Sequence, residues 1–157
     1  MHVCLMGPVP PPWGGVQAHM MDVRRAVLSA GHRCSLINIT RHRDRDADDI
    51  YFPDSASAVL GTIRALRPDV VHIHAGGDFS LRYAALFVAL ALGLRQSTAF
   101  TFHSGGFPDS PTGRRARPLS LRGLALGRLD AVIGVNASLI AAFRRYGVKE
   151  SRLHLIP

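Results

Sequence analysis

The feature that most limits the fold of this chain is the regular alternation of short, continuously apolar runs with longer segments of helical periodicity. Such unbroken apolar runs are typical of strands that are buried on both faces of a parallel sheet. Because parallel strands need crossover connections, helices must cover the sheet. The strands are predicted at 2–6, 33–39, 69–74, 97–102, 130–135 and 152–156, and the helices at 16–30, 55–66, 79–94, 119–126 and 138–146. These elements predict an α/β fold, a doubly wound, mostly parallel Rossmann-like sheet with helices on both faces.

The length of the chain suits one domain, so residues 1–157 are predicted to form a single Rossmann-like domain. The formal net charge is +8, and arginine supplies nearly all of the positive charge because Lys149 is the only lysine. This arginine excess reflects either genomic composition or the binding of phosphates and anionic lipid headgroups. No helix-turn-helix, zinc-finger or aromatic RNA-binding pattern accompanies the charge, so a nucleic-acid partner is not expected.

Cys4 and Cys34 each lie in a short apolar run, which predicts buried thiols and neither a disulfide framework nor a zinc site. The first apolar run is interrupted at once by Gly7-Pro8, which does not resemble a signal peptide. The longest apolar stretch, 84–94, is about half the length that spans a bilayer. We therefore expect a soluble cytoplasmic protein, either free or peripheral to the inner face of the plasma membrane.

In a doubly wound sheet, ligands bind outside the carboxyl ends of the strands. The segments to consider are the loops that follow Met6, His74, Phe102 and Val135. The first of these is rich in proline and glycine and leads into a helix, whose free N–H groups attract phosphate. Gly14 and Gly15 in this loop allow a ligand to approach the backbone closely. The loop lacks the G-x-G-x-x-G pattern of dinucleotide sites, and an ordinary strand-to-helix connection is the alternative.

Three histidines lie in or near the predicted strand ends. His72 and His74 share one face of a strand, because side chains alternate, and His74 stands at its carboxyl end. We interpret His72 as a core residue and His74 as a binding residue. A metal site would need a third ligand at a suggestive spacing, so no metal is predicted. His103, followed by Gly105-Gly106, is placed either to hydrogen-bond a sugar hydroxyl or a developing charge, or to cap nearby backbone.

Two further features follow the later strands. Asn136 ends the fifth predicted strand, where it is either the N-cap of the next helix or a ligand contact. A basic segment spans the loop after His103 and the following helix, and it contains Arg114, Arg115, Arg117, Arg122 and Arg128, of which the first three are the candidate anion contacts. Such a segment is either a solvated face or a contact for an anionic membrane or a phosphorylated acceptor.

Taken in order, these motifs resemble the start of the family-four glycosyltransferases, which have the GT-B fold. The resemblance lies in Pro11-Pro12-Trp13-Gly14-Gly15, Gly31-His32, the segment 68–74, Thr101-Phe102-His103, the segment 130–136, Gly147-Val148 and Leu155-Ile156-Pro157. It covers the whole chain at the spacing that is typical of the family. Each motif alone is weak, and their order makes the set specific.

The resemblance implies an enzyme of two Rossmann-like domains, in which the N-terminal domain mainly binds the acceptor and the C-terminal domain holds a nucleotide-sugar donor. Transfer would retain the anomeric configuration without a metal ion, and the donor would be a co-substrate with no separate cofactor. Gly14 and Gly15 are similar to glycines that line the donor phosphates and the acceptor pocket, and His74 falls beside them. His103 resembles a histidine that contacts the transferred sugar. Asn136 occupies a place often held by serine.

The resemblance also implies that the donor-binding domain is absent from these 157 residues, which are therefore expected to be inactive on their own. The chain is then the acceptor-side part of a longer retaining glycosyltransferase. The alternative is a stand-alone binding or partner domain that recognises an acceptor or docks onto a separate catalytic chain. A different nucleotide-using Rossmann enzyme is disfavoured, because neither G-x-G-x-x-G nor a Tyr-x-x-x-Lys pair is present.

Overall fold

The computed structural model describes residues 1–40, 49–93 and 96–157. The chain divides into two compact units, Met1–His74 and Ala75–Pro157, which we call the first unit and the second unit. Each unit consists of parallel strands with intervening helices. The α/β, Rossmann-like fold class that the sequence predicts is therefore confirmed. Among the described residues, no helix has the length and apolar character required to cross a bilayer.

The first unit is built around strands that are almost entirely buried. Its elements are β1 (His2–Gly7), α1 (Gly15–Ser29), β2 (Arg33–Asn38), β3 (Ile50–Tyr51), α2 (Ala56–Leu66) and β4 (Val70–Ala75), whose last residue, Ala75, is counted with the second unit. The strands lie side by side in the order β3, β2, β1, β4, and every pairing described is parallel. Met20 of α1 packs with Leu5 and Leu36 of the strands, so this helix covers the core over β1 and β2. Gly31 follows the C-cap of α1 and has a φ of +76°, the left-handed conformation that glycine commonly adopts just after a helix.

The second unit has an aromatic core. Its elements are α3 (Leu81–Gly93), β5 (Ser97–Phe102), α4 (Pro111–Arg114), α5 (Leu121–Leu126), β6 (Ala131–Gly134), α6 (Ala137–Arg145) and β7 (Leu153–Leu155). Strand β6 lies between β5 and β7 and is parallel to both. The core contains six phenylalanines, which are all buried: Phe79, Phe87, Phe100, Phe102, Phe107 and Phe143.

Three sequence expectations differ from the structure. The predicted loop 40–54 contains the short strand β3, while its residues 41–48 lie outside the described residues. The predicted loop 103–117 contains α4, which Ser110 caps by accepting a hydrogen bond from the Gly113 N–H at 3.0 Å. The predicted helix 79–94 begins at Leu81, and its last residue is not among those described. Because this segment is apolar nearly all round, the sequence predicts a buried helix, but Leu81 and Leu92 are exposed.

The two cysteines provide a test of the core of the first unit. Burial raises the pKa of Cys4 from 9.0 to about 12, and burial also raises the pKa of Cys34. Because the thiolate is the reactive form, we expect iodoacetamide at mildly alkaline pH to leave both thiols unmodified in the folded chain. Mass spectrometry should find both thiols alkylated in urea. Fast alkylation of Cys4 without denaturant would contradict this burial.

The raised thiol pKa values also predict how the free energy of unfolding changes with pH. Above the ordinary thiol pKa of 9.0, the unfolded chain loses a proton that folded Cys4 still holds. The free energy of unfolding should therefore fall as pH rises through this range. Urea denaturation at a series of alkaline pH values measures this slope. A Cys4→Ala variant should make the slope shallower without removing it, because the pKa of Cys34 is also raised.

Candidate functional site

In the first unit, the ends of β1 and β4 approach the second turn of α1 at Gly7. A Cβ atom at Gly7 would lie 2.8 Å from Met20 Sδ and 2.9 Å from the carbonyl oxygen of His74. Only glycine permits this approach without a shift of the β4 backbone. The sequence predicts close backbone approach at Gly14 and Gly15, whereas the structure also requires it at Gly7. The available signal was a glycine placed directly after a buried strand.

Gly14 and Gly15 lie at the start of α1. Gly14 is the N-cap residue, with an extended φ of −157° that any residue can adopt, and no acidic side chain occupies the first turn. A Cβ atom at Gly15 would meet no described atom within 4 Å. Since neither conformation nor packing requires glycine at 15, its missing side chain leaves open space beside the helix start. The first amides of a helix lack intrahelical partners and carry the positive end of its dipole, so this end suits a phosphate.

Three imidazole rings lie close together in the same unit. The ring centroids of His72 and His74 are 4.1 Å apart, as strand alternation predicts, and those of His19 and His74 are 5.6 Å apart. His74 is fully buried, whereas His19 and His72 are half-buried. The sequence reasoning missed His19. It lies four residues after Gly15, one turn into α1, and this helical spacing was the signal that could have found it.

In the second unit, His103 follows β5 directly. Its backbone N–H donates a hydrogen bond to the carbonyl oxygen of Ala75 at 2.8 Å, and the residue is half-buried. A Cβ atom at Gly105 would lie 3.0 Å from Asn136 Nδ2. Strands β5 and β6 pair so that Phe102 is opposite Gly134. The loop that begins at His103 and the residue Asn136 therefore lie together at the carboxyl ends of these two strands.

Asn136 is the N-cap of α6. Its Oδ1 accepts a hydrogen bond from the backbone N–H of Leu139 at 2.9 Å, and its backbone is extended, with a φ of −153°. Of the two roles that the sequence allows for Asn136, the structure therefore shows the N-cap. Since Oδ1 is the acceptor, Nδ2 is the group that faces Gly105, and it is the donor with which this residue would contact a ligand.

The basic segment begins at the end of α4. Arg114, Arg115 and Arg117 are all exposed. Arg115 lines a pocket of about 170 Å³ together with Arg122 and Tyr146. Burial raises the pKa of Tyr146, and its hydroxyl donates to the carbonyl oxygen of Thr112 at 2.9 Å. Of the three predicted anion-contact residues, Arg115 therefore lines a polar pocket in the second unit.

Among the solved structures with a similar fold are two glycosyltransferase complexes. One is an alpha-glucosyltransferase in complex with UDP-glucose and DNA containing an abasic site, with a TM-score of 0.60 and 14% identity over 99% of this chain and 42% of that chain. Another is an alpha-glucosyltransferase in complex with UDP and a 13-mer DNA containing a central A:G mismatch, with a TM-score of 0.54 and 15% identity over 87% of this chain and 37% of that chain. This chain thus spans about two-fifths of their length. The likeness shows that this chain has the Rossmann-like fold of one half of a GT-B glycosyltransferase.

The sequence model of Glycosyltransferase Family 4 matches residues 13–157. The chain belongs to this family, and the resemblance drawn from its motifs is confirmed. A comparison with curated proteins gave no significant match.

Proposed function

We propose that this chain is the acceptor-side domain of a retaining glycosyltransferase. Such an enzyme moves a sugar from a nucleotide-sugar donor to a glycan, a lipid-linked acceptor or a small molecule. Family membership makes the chain a glycosyltransferase domain. The structural observation that supports a part for this chain in sugar transfer is the open space beside Gly15 at the start of α1, where a donor phosphate would bind.

The chemistry of the reaction explains why a helix start is useful. As the bond between the anomeric carbon and the donor phosphate breaks, negative charge grows on the leaving phosphate. The proposal assigns the stabilisation of this charge to the first amides of α1, which Gly14 and Gly15 leave accessible. It requires neither a resident metal nor a cofactor, since the donor is a co-substrate. His74, beside Gly7, is assigned to the acceptor pocket in the same unit.

His103 is assigned to the transferred sugar, and Asn136 is assigned to binding of the donor phosphates or the acceptor. An imidazole can hydrogen-bond a sugar hydroxyl or a charge that develops in the transition state. The Asn136 Nδ2 donor lies beside Gly105, so this loop offers a second polar group at the same strand ends. Retention of configuration and the acceptor-side role are supported by family membership.

The expected partners follow from the same proposal. The acceptor is a sugar-accepting molecule, and the nucleotide sugar binds mainly to a C-terminal domain. The solved structures named above hold DNA, but we propose no nucleic-acid partner for this chain, because its sequence lacks a nucleic-acid-binding motif. A cytoplasmic location, with peripheral contact to an anionic membrane, remains a prediction.

A substitution at Gly15 tests the phosphate site. In the complete enzyme, Gly15→Trp is expected to lower the initial rate of transfer by on the order of 10²-fold, because the indole would fill the space needed by the donor. The rate of nucleoside diphosphate release in the presence of acceptor measures this effect. Gly15→Ala should lower the rate less, since a methyl group meets no described neighbour.

Gly61→Trp is the matched control, because Gly61 lies on the exposed side of α2 and a Cβ atom there also meets no described atom within 4 Å. Wild-type transfer by Gly15→Trp, or equal losses in both tryptophan variants, would refute the assignment. These 157 residues alone are expected to show no turnover.

A further inference from the structure

Helix α3 carries an apolar face that the second unit does not bury. Leu81, Ala85, Val88 and Leu92 recur at spacings of four, three and four residues, which places them on one side of the helix. Leu81 is 53% exposed and Leu92 is 76% exposed. A globular helix normally turns such a face towards a core, so this face has the character of a contact surface.

This face continues into a groove between α3 and α5. The groove has a volume of about 480 Å³ and is lined by Leu81, Ala84, Ala85, Val88, Ala89 and Leu121. Two leucines at the start of α5 extend the apolar surface beyond the groove, because Leu119 is 87% exposed and Leu121 is 69% exposed. We call the groove and these leucines the α3–α5 surface.

Arginines border the α3–α5 surface. Residues 109–130 contain five arginines and two acidic residues, Asp109 and Asp130. A third acidic residue, Asp78, accepts a hydrogen bond from Thr112 at the polar pocket, so arginine remains in excess around it. Arg115 and Arg122 line the polar pocket, and Leu121, next to Arg122 in sequence, lines the groove. The Nε–H of Arg122 donates to the carbonyl oxygen of Phe79 at 2.6 Å, which holds this side chain at the pocket. Apolar and cationic groups are therefore contiguous around the start of α5.

We propose that the α3–α5 surface docks onto a membrane that contains anionic phospholipids. The exposed leucines would enter the boundary between headgroups and acyl chains, and the arginines would bind lipid phosphates at the pocket. Exposed leucines alone would fit any apolar partner. The excess of arginine over acid selects an anionic surface, because guanidinium groups pair with phosphate and their stems pack along apolar groups. This proposal rests on the membrane contact expected under the proposed function and assigns it to one defined surface. Its test does not measure transfer, so it can fail independently of the proposed enzymatic role.

Sedimentation of this chain with vesicles tests the proposal. Wild-type protein should bind vesicles of equal parts phosphatidylglycerol and phosphatidylcholine, and should bind phosphatidylcholine vesicles much more weakly. Replacing both Leu119 and Leu121 with serine should lower binding by about tenfold. Replacing both Arg115 and Arg117 with alanine should lower binding roughly fivefold per arginine, and added salt should reduce this difference.

The first unit supplies matched controls. Leu28→Ser changes an exposed leucine of α1, and the double change Arg33→Ala and Arg64→Ala removes two exposed arginines. Both variants should bind vesicles like the wild-type chain. The proposal is overturned if anionic vesicles do not bind the chain, or if the surface variants bind as well as these controls. Self-association without lipid that the double serine variant abolishes would assign the surface to a second copy instead.

Discussion

Replacing Phe79 with alanine is expected to lower the free energy of unfolding by roughly 3–5 kcal/mol. Phe79 is fully buried and touches aromatic rings on several sides. Its ring centroid lies 5.7 Å from that of Phe87, 5.8 Å from that of Phe100 and 6.3 Å from that of Tyr146. The substitution would remove the largest part of these contacts and leave a cavity among rigid rings that cannot close around it.

Denaturation by urea, followed by circular dichroism, measures this loss. Phe79→Leu should cost less, because it keeps much of the buried volume. Leu119→Ala should change the free energy of unfolding by less than about 0.5 kcal/mol, since Leu119 is exposed. If Phe79→Ala cost no more than this exposed substitution, the aromatic core described for the second unit would be wrong.

The strands were the most predictable part of the fold. Strand β5, Ser97–Phe102, has the predicted bounds, and the more apolar strand β1 differs from its prediction by one residue. The physical reason is that a strand covered on both faces needs apolar residues at nearly every position, which leaves a continuous signal. The two-residue strand β3 has no such run, and the four-residue helix α4 is too short for a helical period to appear.

Close backbone packing was beyond sequence reasoning. Gly123 lies inside α5, where a helical pattern treats glycine as unfavourable. A Cβ atom there would lie 2.4 Å from the carbonyl oxygen of Pro118 and 2.5 Å from that of Arg117, so the helix needs glycine. The exposed side of α3 was missed for a related reason. An apolar helix is predicted to be buried, and only the packed structure shows which face has no covering element.

The candidate site was partly predictable, because parallel strands end at defined places along the sequence. The positions of His74 and His103 at strand ends followed from the strand pattern alone. The role of Asn136 did not, because capping and ligand binding need the same residue at the same place, and only the 2.9 Å hydrogen bond to Leu139 establishes capping. His19 was missed because its ring reaches His74 through helix packing, which a strand pattern does not encode.

Replacing His103 with alanine in the complete enzyme is expected to lower kcat by on the order of 10²–10³-fold. On the proposed function, the imidazole contacts the transferred sugar, and its hydrogen bond strengthens as charge develops in the transition state. An interaction of this kind lowers kcat more than it raises KM. The backbone hydrogen bond from His103 to Ala75 does not involve the side chain, so the strand end should persist in the variant.

Steady-state kinetics with donor and acceptor varied separately measures this split between kcat and KM. His154→Ala is the control, because His154 is an exposed histidine on β7 and should keep the wild-type kcat. His103→Gln keeps a hydrogen-bond donor and should recover part of the loss. A purely structural role would instead lower the free energy of unfolding and leave the kcat of the folded fraction unchanged. That result would remove His103 from the transfer step, while the effect of Gly15→Trp would still decide whether the start of α1 binds the donor.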